Sequence, residues 1–269
     1  MRRLKILFFW VFINKNNVSL SELIYFLFKP TIHSIAKKHI LKIDKKENFE
    51  ITLINYPNKV FWPKEFSIDR LNQVIAETFD TKDWHYYQKK NTVVEDGEIV
   101  LDIGTAEGLF PITIIDKCSH IYMVEPSKIF NNCLNQTFNF FSEKVTILNT
   151  AVGNEDGIIL FDENSLDGMI NTKSTNDNNV TINKIDTLFK NKRITYLKAD
   201  IEGFELAMLK GAEQTIKAYK PKIAITTYHT ENNPEEIISL ITGFVPEYNY
   251  YVKGIYEKTP KPILIHFWI

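Results

Sequence analysis

The pattern of apolar and polar positions changes character near Glu98, and the longer, C-terminal stretch is the more regular. Ile99-Val100-Leu101-Asp102-Ile103 is a short apolar run closed by Gly104, which reads as a buried strand. A helix is predicted over about 107–117, where Pro111 is tolerated because it falls in the first turn. His120 to Val124 is the next strand, Ser127 caps a helix reaching about Phe141, and Val145 to Asn149 is a third strand. Short strands at Ile158 to Phe161 and Val180 to Ile182 flank a polar loop, 162–179, which is a candidate lid. Ile194 to Lys198 is another buried strand, followed by a helix from Phe204 to Tyr219 with Leu206, Leu209 and Ile216 on one face. A strand over Lys222 to Thr227, a helix over Pro234 to Ile241, and strands at Val245 to Val252 and Ile263 to Trp268 complete the series.

Strands that alternate with helices pair in parallel through right-handed crossovers. The last two strands break that rule. About ten residues separate Val252 from Ile263, with Gly254, Pro260 and Pro262 among them, and a parallel crossover needs more. The final pair is therefore expected to be antiparallel.

The first 90 residues lack this alternation and are expected to form a helical N-terminal cap with a small β element, ahead of a sheet domain over 91–269. Ile51, Leu53, Val60 and Phe61 flank the turn-forming Asn55-Tyr56-Pro57-Asn58. Ser67 caps a helix carrying Leu71, Val74 and Ile75, and Thr81 or Asp83 opens another carrying Trp84, Tyr86 and Tyr87. At the very start, MRRLKILFFWVFI sets a basic end before an apolar run too short to span a bilayer. Three readings stay open there. The run packs as helices on the domain or on a partner subunit of a homo-oligomer, it touches a membrane surface through Arg2, Arg3, Lys5 and the aromatics Phe8, Phe9, Trp10 and Phe12, or it is a cleaved signal.

Composition narrows the function classes. The chain has 269 residues with a formal net charge of −1, which argues against a general nucleic-acid binder. Its two cysteines, Cys118 and Cys133, fit no metal or redox spacing and exclude a disulfide-built scaffold. A cytoplasmic protein, peripheral at most to the inner face of the membrane, is the expected setting.

The candidate chemistry lies where strands end. Gly104-Thr105-Ala106-Glu107-Gly108 follows the first sheet strand, where ligands of such sheets bind. Ala106 occupies the place of the second glycine in a dinucleotide loop, which weakens a pyrophosphate reading. Glu125, ending the next strand about 20 residues later, is placed to accept both hydroxyls of a ribose. Thr150 and Ala151, after the third strand, would flank an adenine. Asp200, Glu202 and Glu205 set three carboxylates within six residues at one sheet edge, an arrangement that persists when it serves chemistry or a cation. Glu205 also suits a helix first turn.

The runs Asp102–Gly108, Val124-Glu125-Pro126 and Lys198–Glu205, with Leu209-Lys210-Gly211-Ala212 behind them, resemble the FkbM-type family of S-adenosylmethionine-dependent methyltransferases. The likeness covers about residues 84–245. One departure is Thr226-Thr227-Tyr228-His229, where the family usually has an acid ahead of the histidine. The resemblance implies an α/β fold: a Rossmann-like doubly wound, mostly parallel seven-stranded sheet with an antiparallel C-terminal strand. It implies S-adenosylmethionine as cofactor and O-methylation of a sugar, polysaccharide or other small natural product. Asp102, Gly104, Thr105, Ala106, Glu107, Gly108, Glu125, Thr150, Ala151 and Asp200 would hold the cofactor, Asp102 through the methionyl ammonium end. Asp200, Glu202 and His229 would be catalytic, Asp200 as base, and the same three would ligate a divalent cation if they converge. Tyr86, Tyr87 and Glu205 would meet the acceptor. A nucleotide-dependent oxidoreductase or sugar-nucleotide enzyme is the runner-up, and a cofactor-binding scaffold without chemistry is a third class.

Overall fold

The computed structural model describes residues 2–89, 91–161, 178–229 and 233–269. Three short strands come first: β1 (Ile40–Lys45), β2 (Phe49–Leu53) and β3 (Val60–Trp62). The main elements follow as β4 (Ile99–Ile103), β5 (His120–Val124), β6 (Val145–Leu148), β7 (Ala151–Val152), β8 (Gly157–Phe161), β9 (Asn178–Asn183), β10 (Tyr196–Ala199), β11 (Lys222–Thr226), β12 (Asn249–Lys253) and β13 (Leu264–Trp268).

Seven of them form one sheet in the order β12-β13-β11-β10-β4-β5-β6. The four strands β10, β11, β4 and β5 carry near-continuous apolar runs because helices cover both faces, and Val100, Leu101, Ile121, Leu197 and Ile223 are fully buried. β4, β5, β6, β10 and β11 pair in parallel. β13 is antiparallel to both β11 and β12. The expected reversal is present, and the last strand lies between its two predecessors instead of beside them. This is the Rossmann-like doubly wound architecture. The β4–β10 register places Lys198 directly opposite Asp102.

Some boundaries differ from expectation for identifiable reasons. The helix expected over 204–219 is two helices, Glu205–Lys210 and Glu213–Tyr219. Gly211 at the break lies against the backbone of Gly153, where a Cβ would come 2.0 Å from that carbonyl oxygen. The Gly211 carbonyl also accepts from Asp186 N at 2.9 Å, a bond an unbroken helix would not free. β12 begins at Asn249 because Val245 and Tyr248 form a buried turn, with the Tyr248 hydroxyl donating to Pro221 O at 2.6 Å. β8 and β9 pair antiparallel and, with β7, form a second small sheet beyond β6. Between β8 and β9, the candidate lid lies outside the described residues except for Asn178 and Asn179, which belong to β9.

The first 90 residues pack in two places. β1–β3 and the helix Ile68–Phe79, capped by Ser67 as expected, form a core with Leu109 and Phe130 of the sheet's helices. The helices Arg2–Phe12 and Leu20–Phe28 cover the other side, burying Ile6 and Leu23 against Trp84, Ile255, Ile263 and Leu264. The helix expected from Thr81 or Asp83 is absent. Asp83 instead caps a turn, accepting from the backbone of His85 at 2.9 Å, and Trp84 stacks on Phe26 with centroids 4.5 Å apart. β1, which the sequence pattern did not predict, pairs antiparallel with β2.

Candidate active site

The carboxyl ends of β4, β5, β10 and β11 open into a cleft of about 210 Å³. On one side of it the chain turns at Gly104, whose φ is +67°. A Cβ there would sit 1.9 Å from the backbone oxygen of Asp200, so only glycine lets the first loop meet the end of β10. Ala106 follows with φ +46°, an uncommon conformation for a residue with a side chain. Its N–H donates to Glu125 at 2.9 Å, and the other Glu125 oxygen accepts from Ser127 N at 2.9 Å. Glu125 is thus fixed at the end of β5 facing the loop. Burial pushes its carboxyl up to about 7 against these hydrogen bonds, and burial does the same to Glu107.

Behind this loop Asp102 is completely buried, 3.1 Å from the Lys198 ammonium. Burial raises the Asp102 carboxyl, and the ammonium opposes that. Burial alone would lower Lys198, but the Asp102 and Asp200 charges hold it above its ordinary value. Lys198 also donates to Gly104 O at 2.8 Å. Asp102 does not line the cleft; the cation beside it in the structure is Lys198, which does line it. A lone lysine inside Tyr196-Leu197-Lys198-Ala199 was the available signal, because a buried amine needs a buried acid.

The carboxylate cluster is resolved by His229. Its Nδ1 is 3.0 Å from Glu205, and its Nε2 is 3.1 Å from Glu202 and 3.7 Å from Asp200. Burial disfavours the imidazolium, but Glu202, Glu205 and Asp200 outweigh it and push His229 up to about 11. A histidine that keeps its proton is a cation for its neighbours. It is neither a base nor a metal ligand in that form. Asp200, Glu205 and His229 do each place one ligand atom within 4.8 Å of the others, so a metal would have to replace that proton.

Glu205 is fully buried and clasps the turn before its helix, accepting from Ile201 N at 3.1 Å and Gly203 N at 2.9 Å. That clasp holds Glu202 at φ +53°, facing the cleft. Glu205 therefore positions the turn, and its expected contact with an acceptor is corrected. Asp200 faces the cleft, taking hydrogen bonds from the Tyr87 hydroxyl at 2.8 Å and from Thr226 Oγ1 at 3.1 Å. Half-buried, Asp200 is held below the usual carboxylate range by His229, Lys198 and His85.

Gly104, Thr105, Ala106, Glu107, Glu125, Thr150, Ala151, Asp200, Glu202 and Tyr87 all line the cleft. Gly108 does not; it caps the helix Leu109–Ile114 and lies against Leu134 and Phe138. His229 stands behind Glu202, and Tyr86 lies outside the cleft with Lys89 over its ring. Sequence reasoning missed a second wall. Arg70, Gln73 and Glu77 project from one face of the helix Ile68–Phe79, and His85 and Tyr228 join them. Glu77 is pushed up by burial, whereas Glu77, Asp83 and Asp200 push His85 up to about 9 against its burial. On the sequence, residues 70, 73 and 77 look like the solvated side of an amphipathic helix.

The methyltransferase FkbM from Methylobacillus flagellatus KT is similar in fold, with a TM-score of 0.52 at 19% identity over 76% of this chain and 56% of that one. This chain therefore spans little more than half of that protein's length. An rRNA methylase from Streptococcus thermophilus gives a TM-score of 0.43 at 14% identity, over 65% of this chain and 88% of that one, too distant to bear on function. Among curated proteins no match is found. The family model described as the methyltransferase FkbM domain matches residues 102–252, from the aspartate behind the glycine turn to the end of the sheet's outer strand, and the chain belongs to that family of methyltransferases.

Proposed function

We propose that this protein transfers a methyl group from S-adenosylmethionine to a hydroxyl of a sugar, polysaccharide or other small natural product. The observation that carries the reading is the opposition, across one cleft, of Glu125 with the Gly104 turn and of Asp200 with its ring of polar neighbours. Glu125, Gly104, Ala106, Thr150 and Ala151 offer the carboxylate, close backbone and small side chains that a nucleoside needs. When bound, the cofactor supplies the electrophilic methyl. Arg70, Gln73, Glu77, His85, Tyr87 and Tyr228 give the other wall hydrogen-bonding groups beside aromatic faces, which suits a polyhydroxylated acceptor.

Asp200 orients the acceptor hydroxyl and takes its proton. A carboxylate held below its usual range is a weak base toward a free alcohol. An oxygen acquiring a methyl becomes strongly acidic, so the ionised Asp200 accepts that proton as the bond forms. His229 places one positive charge among Asp200, Glu202 and Glu205. The oxidoreductase alternative draws no support from Ala106 or from the reversed β13.

Titration calorimetry with S-adenosylmethionine and its demethylated product tests the reading, paired with mass spectrometry for the gain of one methyl on candidate glycans. Binding of both is expected, and absence of binding overturns it. Asp200→Asn is expected to lower turnover about 10²–10⁴-fold with little change in cofactor affinity, and activity is expected to survive EDTA.

A further inference from the structure

The hairpin formed by the helices Arg2–Phe12 and Leu20–Phe28 is apolar on both sides. Its inner face buries Ile6 and Leu23 in the core shared with Trp84, Ile255 and Ile263. Two side chains fix the helices side by side and antiparallel: Arg3 donates to Leu27 O and Lys29 O at 2.6 and 3.0 Å, and Trp10 Nε1 donates to Val18 O at 2.7 Å. The outer faces carry Leu4, Phe8, Val11 and Phe12 on the first helix and Leu20, Ile24 and Phe28 on the second. Those positions recur at helical spacing, so each helix presents one continuous outward stripe. Phe12 is 72% exposed and Phe28 80% exposed. Seven large apolar side chains on one element exceed the scattered exposure of an ordinary surface.

The charge around this face selects its occupant. The first 38 residues hold seven Lys and Arg and a single acid, Glu22, in a chain whose net charge is −1. Glu22 is itself paired with Lys253. Arg3 and Lys5 on the first helix and Lys15 just after it are exposed. A second copy of the chain would bring the same positive excess against itself. An anionic lipid surface meets both the charge and the apolar stripe. Among the described residues no helix is long and apolar enough to cross a membrane, so a lipid contact of the hairpin would be a surface one. We propose that this hairpin docks the protein on an anionic lipid surface, with Leu4, Phe8, Phe12, Ile24 and Phe28 entering the headgroup layer and the flanking Lys and Arg meeting lipid phosphates.

The test is co-sedimentation of the full chain with vesicles of phosphatidylcholine, with and without phosphatidylglycerol. Binding to the anionic vesicles is expected, about fivefold or more above the neutral ones, and it should weaken with added salt. The triple variant Phe8→Ser, Phe12→Ser, Phe28→Ser should lose about tenfold in binding while keeping its circular-dichroism spectrum. Should that variant misfold, Lys5→Gln, Lys15→Gln provides the second reading: it should cut binding to anionic vesicles and leave neutral vesicles unaffected. Absence of binding to either vesicle overturns the proposal. So does a dimer by light scattering that the serine variant splits, because the face then belongs to a second copy.

Discussion

Lys198 and Asp102 show how a single buried pair fixes the site's frame. They face each other on adjacent parallel strands, both almost completely out of solvent. Lys198→Met would leave the Asp102 carboxylate buried without a cation and should cost about 3–5 kcal/mol of stability, read by denaturant unfolding. Pairing it with Asp102→Leu should recover much of that loss, because the penalty belongs to the orphaned charge. His229 gives a pH signature. It keeps its proton to about pH 11 in the folded protein, against an ordinary value of 6.5. Its stabilising contribution is therefore complete below about pH 6.5 and fades as pH rises toward about 11. Unfolding free energy of the wild type should fall across that alkaline window, and His229→Gln should flatten the fall. At this scale the sequence was legible for residue type and not for role. Asp200, Glu202, Glu205 and His229 were all singled out, yet which of them faces the cleft depends on the turn that Glu205 clasps.

At the scale of elements, the loop after β4 is the most constrained. Gly104→Ala would force a side chain into the left-handed region and against the Asp200 carbonyl. A loss of at least about 2 kcal/mol is expected, together with weaker cofactor binding in the titration. The buried strands were legible because burial on both faces leaves an unbroken apolar run, as in Ile99-Val100-Leu101. β1, with Lys42, Asp44 and Lys45 in a six-residue strand, carries too weak an alternation to be seen alone. The break at Gly211 was invisible because its cause, the backbone of Gly153, lies far away in sequence.

For the whole molecule, the reversed final pair was readable from a short connection, and its insertion between β11 and β12 was not, since strand order is a property of tertiary packing. The second wall of the cleft was likewise hidden, because residues 70–87 reach it only after the N-terminal elements dock on the sheet's helices. Apart from Tyr228, that wall lies outside the segment the family model matches. Glu77→Gln is therefore expected to raise KM for the acceptor while leaving cofactor affinity within about twofold, a split that steady-state kinetics beside calorimetry would read.

The position of β13 also sets an order of events during synthesis. β12 emerges before β13, yet it reaches the sheet only through β13. The inner face of the N-terminal hairpin likewise waits for Ile255, Ile263 and Leu264. A growing chain thus carries an uncovered apolar hairpin and an unfinished sheet until one late segment arrives and closes both. Until then the nascent protein exposes apolar surface that the finished fold covers.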